Sequence, residues 1–263
     1  MLLGVFEFPN HPDFTVAQVS AAIAAAKNFP NTVIGIVVGN EDMFKDLGGK
    51  PRRFKPDEKM QERILDDIAT IKNAGISIPV TTSQRSTDWC GGINKPGCDP
   101  TRTGTGERDG ENSSLNNFDP KGVLSGPKAV TIIGANIFPY WSDKPAIVMP
   151  PDPCQGQSVA CQTQTAAQNV LDAVQAVKNS KVTGVIITEE GWPDCANSDQ
   201  PSANITDESA YYSTWSKHEN QKYDSYYFQT YDLSSTCPSD ADKHFGLCST
   251  SGQTKSPNLI TCP

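Results

Sequence analysis

The sequence predicts an α/β fold with a parallel sheet, and three observations indicate it. Short apolar segments alternate along the chain with amphipathic helical segments, which is typical of β-α-β units. The apolar segments are nearly continuous, as expected for strands buried on both faces. Long polar segments follow several predicted strands, at the end where α/β folds carry their sites. A closed α/β barrel and an open, doubly wound sheet both fit this pattern.

The first part of the chain contains three predicted strands and two predicted helices. Leu2–Phe8 is the first strand, Val33–Val38 is a β-branched second strand, and Pro79–Thr82 is a short third one. Thr15–Asn28 is predicted as a helix because its apolar residues recur at spacings of three and four among alanines. Asp57–Asn73 shows an apolar stripe at the same spacing, and a glycine follows its end.

The second part continues the same alternation. Val130–Ile137 is a predicted strand, and Thr165–Asn179 is a predicted helix with valines on one face. Val182–Thr188 is a further apolar strand, Glu208–Gln221 is a helix, and Tyr226–Leu233 is an aromatic-rich strand. No internal repeat or composition change marks a boundary, so we predict a single domain over residues 1–263.

The net charge and the absence of certain motifs exclude several classes of binding partner. The 263 residues carry a net charge of −8, and an acidic chain is a poor binder of nucleic acid or anionic membrane. The longest apolar runs are far shorter than the roughly 20 residues of a membrane span. No dinucleotide-binding or phosphate-binding glycine motif is present, so we expect no cofactor. We expect a monomer that binds neither nucleic acid nor membrane.

Cysteine usage indicates an oxidising compartment. Short spacings favour the disulfides Cys90–Cys98 and Cys154–Cys161, and the pairing of the other four is left open. Those four are Cys195, Cys237, Cys248 and Cys262. No cysteine pair has zinc-ligand spacing, so no metal is expected. Glycosylation sequons at Asn112 and Asn204 agree with a secreted, extracellular or cell-wall protein. The first residues lack the charged region of a signal peptide, which predicts a mature or trimmed form.

Two glutamates follow apolar strands directly. Glu41 comes after a buried strand and an asparagine, and Glu189 ends a second strand before Glu-Gly-Trp-Pro. A carboxyl group at the mouth of a buried strand lies on rigid backbone, where burial can raise the pKa of one acid while its neighbour stays ionised. Glycoside cleavage needs such a pair, one to protonate the leaving oxygen and one to attack or to activate water.

Five segments resemble motifs of glycoside hydrolase family 17, a family of β-1,3-glucanases and β-1,3-glucanosyltransferases. Gly39–Glu41 and Thr188–Pro193 are similar to its two signatures. Asn136–Trp141 resembles the motif of the sixth strand, Tyr226–Asp232 that of the eighth, and His244–Gly246 the segment after it. The resemblance covers most of the chain and keeps the family's order and spacing.

The resemblance implies a retaining (β/α)8 barrel of the TIM type. Glu41 would be the acid/base and Glu189 the nucleophile. The residues implied in sugar binding are Asn40, Asn136, Phe138, Tyr140, Trp141 and Trp192. Asn40 would hydrogen-bond the sugar 2-hydroxyl, and the aromatic rings would stack on pyranose faces. Glu190 replaces the usual small residue, and strand alternation sends it to the face opposite Glu189.

Counting from the resemblance, Leu2–Phe8 corresponds to the third strand of the barrel. The chain would then contain six β/α units, strands 3 to 8, and the first two units are not recognisable in this sequence. A barrel does not close without them. The expected function is cleavage of internal β-1,3-glucosidic bonds in β-1,3-glucan. Three alternatives stay open: a β-1,3-glucanosyltransferase that remodels cell-wall glucan, a non-catalytic glucan-binding protein, and a barrel glycosidase acting on β-1,4 or β-1,6 linkages.

Overall fold

The computed structural model describes residues 1–46, 54–90, 119, 121–141, 159–199, 203–217, 222–257 and 259–262. The elements in chain order are β1 (Leu2–Val5), α1 (Pro12–Asn28), β2 (Gly35–Asn40), β3 (Phe44–Asp46), β4 (Phe54–Pro56), α2 (Glu58–Asn73), β5 (Val80–Arg85), α3 (Ser86–Cys90), β6 (Ile132–Asn136), α4 (Val159–Gln175), β7 (Gly184–Glu190), α5 (Ile205–Trp215) and β8 (Ser225–Tyr227). The predicted pairs Cys90–Cys98 and Cys154–Cys161 each include a cysteine outside these ranges, Cys98 and Cys154, and the Asn112 sequon also lies outside them.

Six of the strands are parallel and form one sheet in the order β1-β2-β5-β6-β7-β8. Their sequence order equals their spatial order, and helices lie between most of them in the chain, so the predicted α/β class with six β/α units is confirmed. β3 and β4 form a separate antiparallel pair after β2, which the sequence analysis did not predict. None of the helices among the described residues is long and apolar enough to cross a membrane.

The chain divides into two compact units. The first comprises Met1–Asn136 and Gln168–Ile186, and the second comprises Ile137–Ala167 and Ile187–Pro263. Both β7 and α4 therefore contribute residues to each unit. The single domain over residues 1–263 stays a prediction.

The first unit buries α2 against the sheet. Ile64, Ile68 and Ile71 of α2 are fully buried, as are Ile36 and Val38 of β2. Each such side chain contributes about 1.5–3 kcal/mol through removal of apolar surface from water. This apolar layer fixes the strand whose end carries Asn40 and Glu41.

The second unit is cross-linked by two disulfides. Cys195 pairs with Cys237, and Cys248 pairs with Cys262, with Cα–Cα distances of 6.1 and 5.9 Å. These are the four cysteines whose pairing the sequence left open. A disulfide that closes a loop of this size restricts the conformations of the unfolded chain. Each one thereby stabilises the folded protein by about 3–4 kcal/mol.

Several element ends differ from the predictions for local reasons. α1 begins at Pro12, three residues early, because proline suits the first turn of a helix. α5 begins at Ile205 rather than Glu208, because the Asn204 side chain caps it by accepting from the backbone of Asp207. α4 covers Val159–Gln175, and it does not reach Asn179, whose φ of 63° lies outside the helical region.

The strand bounds also shift. β1 ends at Val5 and β8 at Tyr227, so both are shorter than predicted. β5 instead runs on to Arg85, past the predicted end at Thr82, through Ser83, Gln84 and Arg85, which carry no apolar strand pattern. Thr81 to Gln84 are buried and hydrogen-bonded, so tertiary contacts extend the strand beyond its local signal.

Candidate active site

Glu41 lies at the carboxyl end of β2 in an unusual backbone conformation. Its φ is 59°, in the left-handed region, which costs a non-glycine residue about 1–2 kcal/mol. The backbone N–H of Glu41 donates to the carbonyl oxygen of Ser83 at 2.9 Å, which holds the turn against β5. Strained backbone of this kind concentrates at functional sites. The turn that carries the Glu41 carboxyl group is therefore held in place by its hydrogen bond to the sheet.

A buried amide connects Glu41 to the neighbouring strands. Nδ2 of Asn136, the last residue of β6, donates to Oε1 of Glu41 and to Oδ1 of Asn40, both at 3.0 Å. Oγ of Ser83 in β5 donates to Oδ1 of Asn136 at 2.8 Å. Three adjacent strands therefore meet in one hydrogen-bond network at their carboxyl ends. The structure brings together three predicted site residues here and adds Ser83, which the sequence analysis missed.

Two further carboxyl groups, those of Asp42 and Asp88, interact electrostatically with Glu41. Burial raises the pKa of Asp42, and the charge of Glu41 raises it further, whereas the Asn40 N–H lowers it. Burial raises the pKa of Asp88 to about 6, although Arg85 opposes this through an ion pair at 2.8 Å. The Glu41 charge adds to the rise at Asp88. Asp42 and Asp88, near the end of β2, therefore keep their protons to a higher pH than ordinary aspartates do.

Glu189 and Glu190 at the end of β7 have different surroundings. Glu189 is half-buried, and its carbonyl oxygen accepts from the backbone N–H of Ile137 at 2.8 Å. Glu190 is only 1 % exposed, and Oε2 accepts a short hydrogen bond from the hydroxyl of Tyr211 in α5. Burial raises the pKa of Glu190, while hydrogen bonds, the largest from Tyr211, lower it. Glu190 is thus engaged with α5, and the opposite orientation of Glu189 stays a prediction.

The residue after this pair must be glycine. A Cβ on Gly191 would lie 2.4 Å from the carbonyl oxygen of Phe228, which is closer than real Cβ contacts come. The backbone just after β7 therefore lies in close contact with the backbone of Phe228, just after β8. This contact explains why glycine separates Glu190 from Trp192.

The predicted sugar-binding aromatics belong to one cluster in the second unit. Tyr140 contacts Trp141 and Trp192 edge to face, with centroid distances of 4.7 and 5.4 Å, and Phe138 contacts Phe245 at 5.1 Å. Phe138, Trp141 and Trp192 are partly buried against this cluster. Tyr140 is buried, which raises its pKa to about 12. Stacking of these rings on sugar stays a prediction.

A buried ionic cluster in the second unit has no counterpart in the sequence analysis. Nζ of Lys255 lies 3.0 Å from Asp194, 3.1 Å from Asp232 and 3.2 Å from Glu208. His244 contacts Asp194 at 3.4 Å. Asp194, Asp232 and His244 place potential metal-ligand atoms within 4.8 Å of one another. The lysine ammonium already supplies the positive charge at this position, and no local pattern in the sequence could have indicated it.

Sequence comparisons do not identify a relative. No family model matches the chain, and no curated protein matches it. Similarity is found in comparison with solved structures, at 15 to 19 % sequence identity for those described next.

Four solved structures, of three different proteins, are similar over most of this chain. An endo-laminarinase from Formosa Hel1_33_131 has a TM-score of 0.53 and 18 % identity, over 90 % of this chain and 60 % of that chain. A family 17 β-1,3-glucanosyltransferase from Rhizomucor miehei has a TM-score of 0.51 and 15 % identity, over 99 % and 85 %. An active-site mutant of the latter, in complex with laminaritriose, matches equally. The β-1,3-glucanase and allergen CJP38 of Cryptomeria japonica pollen has a TM-score of 0.55 and 19 % identity, over 92 % and 78 %.

These likenesses establish the fold. The chain spans about 60 % of the length of the endo-laminarinase. Its six parallel strands with intervening helices correspond to part of a TIM-type barrel. The resemblance predicted from the motifs is therefore confirmed at the level of structure: the chain has the fold of glycoside hydrolase family 17.

Proposed function

We propose that this protein is a retaining glycoside hydrolase that cleaves internal β-1,3-glucosidic bonds of β-1,3-glucan. The observation that carries the proposal is Glu41, held in a left-handed turn at the end of β2 and hydrogen-bonded by Asn136, in a chain with the family 17 fold. A second glutamate, Glu189, is the penultimate residue of β7. Solved structures of this fold include enzymes named for β-1,3-glucan.

In the proposed mechanism Glu41 is the acid/base and Glu189 the nucleophile. The Glu189 carboxylate attacks the anomeric carbon while Glu41 gives its proton to the glycosidic oxygen, so the carbon–oxygen bond breaks and the leaving chain departs as an alcohol. A glycosyl ester on Glu189 remains. Glu41, now ionised, takes a proton from water, whose oxygen attacks the anomeric carbon and releases Glu189. Two inversions leave the β configuration unchanged.

The remaining site residues would bind the glucan. We propose that Asn40 hydrogen-bonds the sugar 2-hydroxyl, a contact that strengthens in the oxocarbenium-like transition state. Asn136 would orient Glu41. The aromatic residues proposed to line the sugar subsites are Phe138, Tyr140, Trp141 and Trp192. The reaction as proposed uses no cofactor or metal.

Transglycosylation is the second candidate, and the fold of the Rhizomucor miehei glucanosyltransferase favours it. Both reactions share the glycosyl ester and differ in whether water or a sugar hydroxyl attacks it. The two disulfides of the second unit support a secreted protein that acts outside the cell or in the cell wall. We further propose that it acts as a monomer.

A panel of linear glucans tests the proposal. Laminarin should yield new reducing ends, whereas β-1,4- and β-1,6-linked glucans should not. Products longer than the starting laminari-oligosaccharide would favour the transferase. Binding to laminarin without any product would support a non-catalytic glucan-binding protein, and cleavage only of another linkage would contradict the β-1,3 assignment.

A further inference from the structure

Ser83 lies in the interior of the first unit, next to the amide that contacts Glu41. It is 1 % exposed, and its Cα is the ladder partner of Asn40 in β2 and of Gly134 in β6. Its hydroxyl donates to Oδ1 of Asn136 at 2.8 Å, and its carbonyl oxygen accepts from the backbone N–H of Glu41 at 2.9 Å. A single residue of β5 thus contacts both the turn that carries Glu41 and the amide that faces it.

The orientation of the Asn136 amide follows from its partners. A side-chain amide has two N–H donors on one side and an acceptor oxygen on the other. Both donors are directed at oxygen atoms, namely Oδ1 of Asn40 and Oε1 of Glu41, at 3.0 Å each. The acceptor oxygen receives the hydroxyl of Ser83. Turning the amide over would place its oxygen against Oδ1 of Asn40, which is always an acceptor, and against Oε1 of Glu41, which can donate only when it carries the proton.

This orientation decides which oxygen of Glu41 can hold the proton. Oε1 accepts a hydrogen bond from Asn136 and therefore acts as an acceptor in both protonation states of Glu41. The proton of the acid form then resides on Oε2. A proton on Oε1 would point at the amide, where no glycosidic oxygen can receive it.

We propose that Ser83 is a positioning residue: by fixing the Asn136 amide, it directs the catalytic proton of Glu41 to Oε2. The inference rests on the proposed function, in which Glu41 is the acid/base. Removal of the Ser83 hydroxyl leaves the buried Oδ1 of Asn136 without this donor, which buried polar groups avoid. The amide can recover a bond by turning its oxygen toward Glu41 and accepting the proton from Oε1.

The charged neighbours of Glu41 do not provide this function. Asp42 follows it in the same turn, Asp88 lies on α3, and Arg85 at the end of β5 is paired with Asp88. The charges of Asp42 and Asp88 interact with the Glu41 carboxyl group as a whole. Among the contacts of the described residues, the hydrogen bond from the Asn136 amide distinguishes one oxygen from the other.

Two substrates distinguish a loss of proton transfer to the leaving group from a general loss of activity. Cleavage of laminaripentaose needs a proton on the leaving oxygen, whereas 2,4-dinitrophenyl β-laminaribioside has a leaving group that departs without one. For Ser83→Ala we expect kcat/KM to fall about 10- to 100-fold on laminaripentaose and less than about 3-fold on the dinitrophenyl substrate, because general acid catalysis contributes about 10²–10⁴-fold. The alkaline limb of the pH–kcat/KM profile should also move to higher pH, since the turned amide favours the protonated acid.

Conservative and matched variants complete the experiment. Ser83→Thr keeps the hydroxyl and should restore both the rate on laminaripentaose and the position of the alkaline limb. Thr82→Val removes an equally buried hydroxyl one residue earlier in β5, which bonds to Gln84 instead, and should affect both substrates alike. Thermal unfolding of each variant establishes that it is folded.

Each remaining outcome is decisive. An equal loss on both substrates for Ser83→Ala, or no loss on either, would overturn the positioning role while leaving the proposed function intact. If the wild-type protein cleaves neither substrate, the proposed function itself is wrong, and the role inferred for Ser83 fails with it.

Discussion

The side-chain amide of Asn136 donates to Oε1 of Glu41 at 3.0 Å, and thereby joins the ends of β6 and β2 across the intervening β5. One buried amide thus orients the proposed acid/base and also contacts Asn40, the proposed ligand of the 2-hydroxyl. Preorganisation of this kind allows a site to stabilise charge without rearrangement during the reaction.

Asn136→Leu should therefore reduce activity more than stability. The substitution keeps the branched shape of the side chain and removes both donors, so we expect kcat/KM on laminarin to fall about 10²-fold, similar to the loss of one preorganised donor in other sites. Steady-state kinetics and thermal unfolding measure the two effects. Asn28→Leu, at the exposed end of α1, is the control and should leave both unchanged. An Asn136→Leu enzyme with normal kinetics would contradict the role of the amide.

The two glutamates that end β7 should differ sharply in their effects. Glu189→Ala removes the proposed nucleophile, and we expect a loss of about 10⁴-fold or more in kcat, a modest part of typical enzymatic rate enhancements. Glu190→Ala removes a group engaged with Tyr211, so it should give a folded enzyme with a lesser defect. Kinetics on laminarin distinguish them. An inactive Glu190→Ala with an active Glu189→Ala would reverse the assignment.

Azide identifies the role of each removed carboxylate. With Glu189→Ala on an activated glucoside, the small anion should attack from the side of the missing nucleophile and give the α-glycosyl azide. With Glu41→Ala the glycosyl ester still forms, and azide should intercept it with a second inversion to give the β-glycosyl azide. The same anomer from both variants would contradict the separate roles of Glu41 and Glu189.

Stability should decrease as the pH rises from about 4.5 to 8. Burial raises the pKa of Glu7 to about 7 and that of Glu208 to about 8, from an ordinary value of 4.5. In this range the folded protein binds protons that the unfolded chain has released, so the free energy of unfolding falls by up to about 1.4 kcal/mol per pH unit for each proton.

Denaturant unfolding at several pH values measures that slope. Glu208→Gln should reduce it up to pH 8, and Glu7→Gln should reduce it up to pH 7. Glu58→Gln is the matched control, because the Glu58 side chain is 62 % exposed. A stability that rises between pH 5 and 8 in the wild-type protein would contradict the burial of these acids.

Lys255 should be required for the stability of the second unit. Lys255→Met removes the only cation described in contact with the carboxyl groups of Asp194, Glu208 and Asp232, and loss of one partner from a buried ionic cluster costs about 3–5 kcal/mol. The defect should be smaller at pH 5 than at pH 9, because burial raises the pKa of Glu208 to about 8 and this carboxyl group is ionised only above that value. Lys243→Met, at an exposed position, is the control. Equal stability of the two variants would show that the cluster contributes little.

Elements with strong local signals could be predicted from the sequence. α2 was predicted to within one residue, because Asp57 caps it and its apolar stripe has helical spacing. The positions of Glu41 and Glu189 at strand ends could be predicted because each follows an apolar segment, whereas the assignment of Glu190 to the opposite face stays a prediction. Each of these signals lies within one short segment of the chain, so the spacing of apolar residues and the local preferences of the residues are enough to predict it.

Features that depend on distant contacts could not be predicted. The continuation of β5 to Arg85 depends on polar side chains that hydrogen-bond to β6 and to the backbone of Met43, which propensity does not encode. The role of Ser83 requires knowledge of which strands are adjacent. Lys255 lies in a loop with no pattern, and its carboxyl partners come from three separate segments of the second unit.

The anomeric configuration of the first product tests the central proposal most directly. Proton NMR recorded during cleavage of laminaripentaose resolves the α and β forms of each new reducing end before they interconvert. The proposed double displacement predicts that the β anomer appears first and that the α anomer grows later by mutarotation. An α anomer formed first would show inversion and contradict Glu189 as a nucleophile, and the absence of cleavage would contradict the enzyme itself.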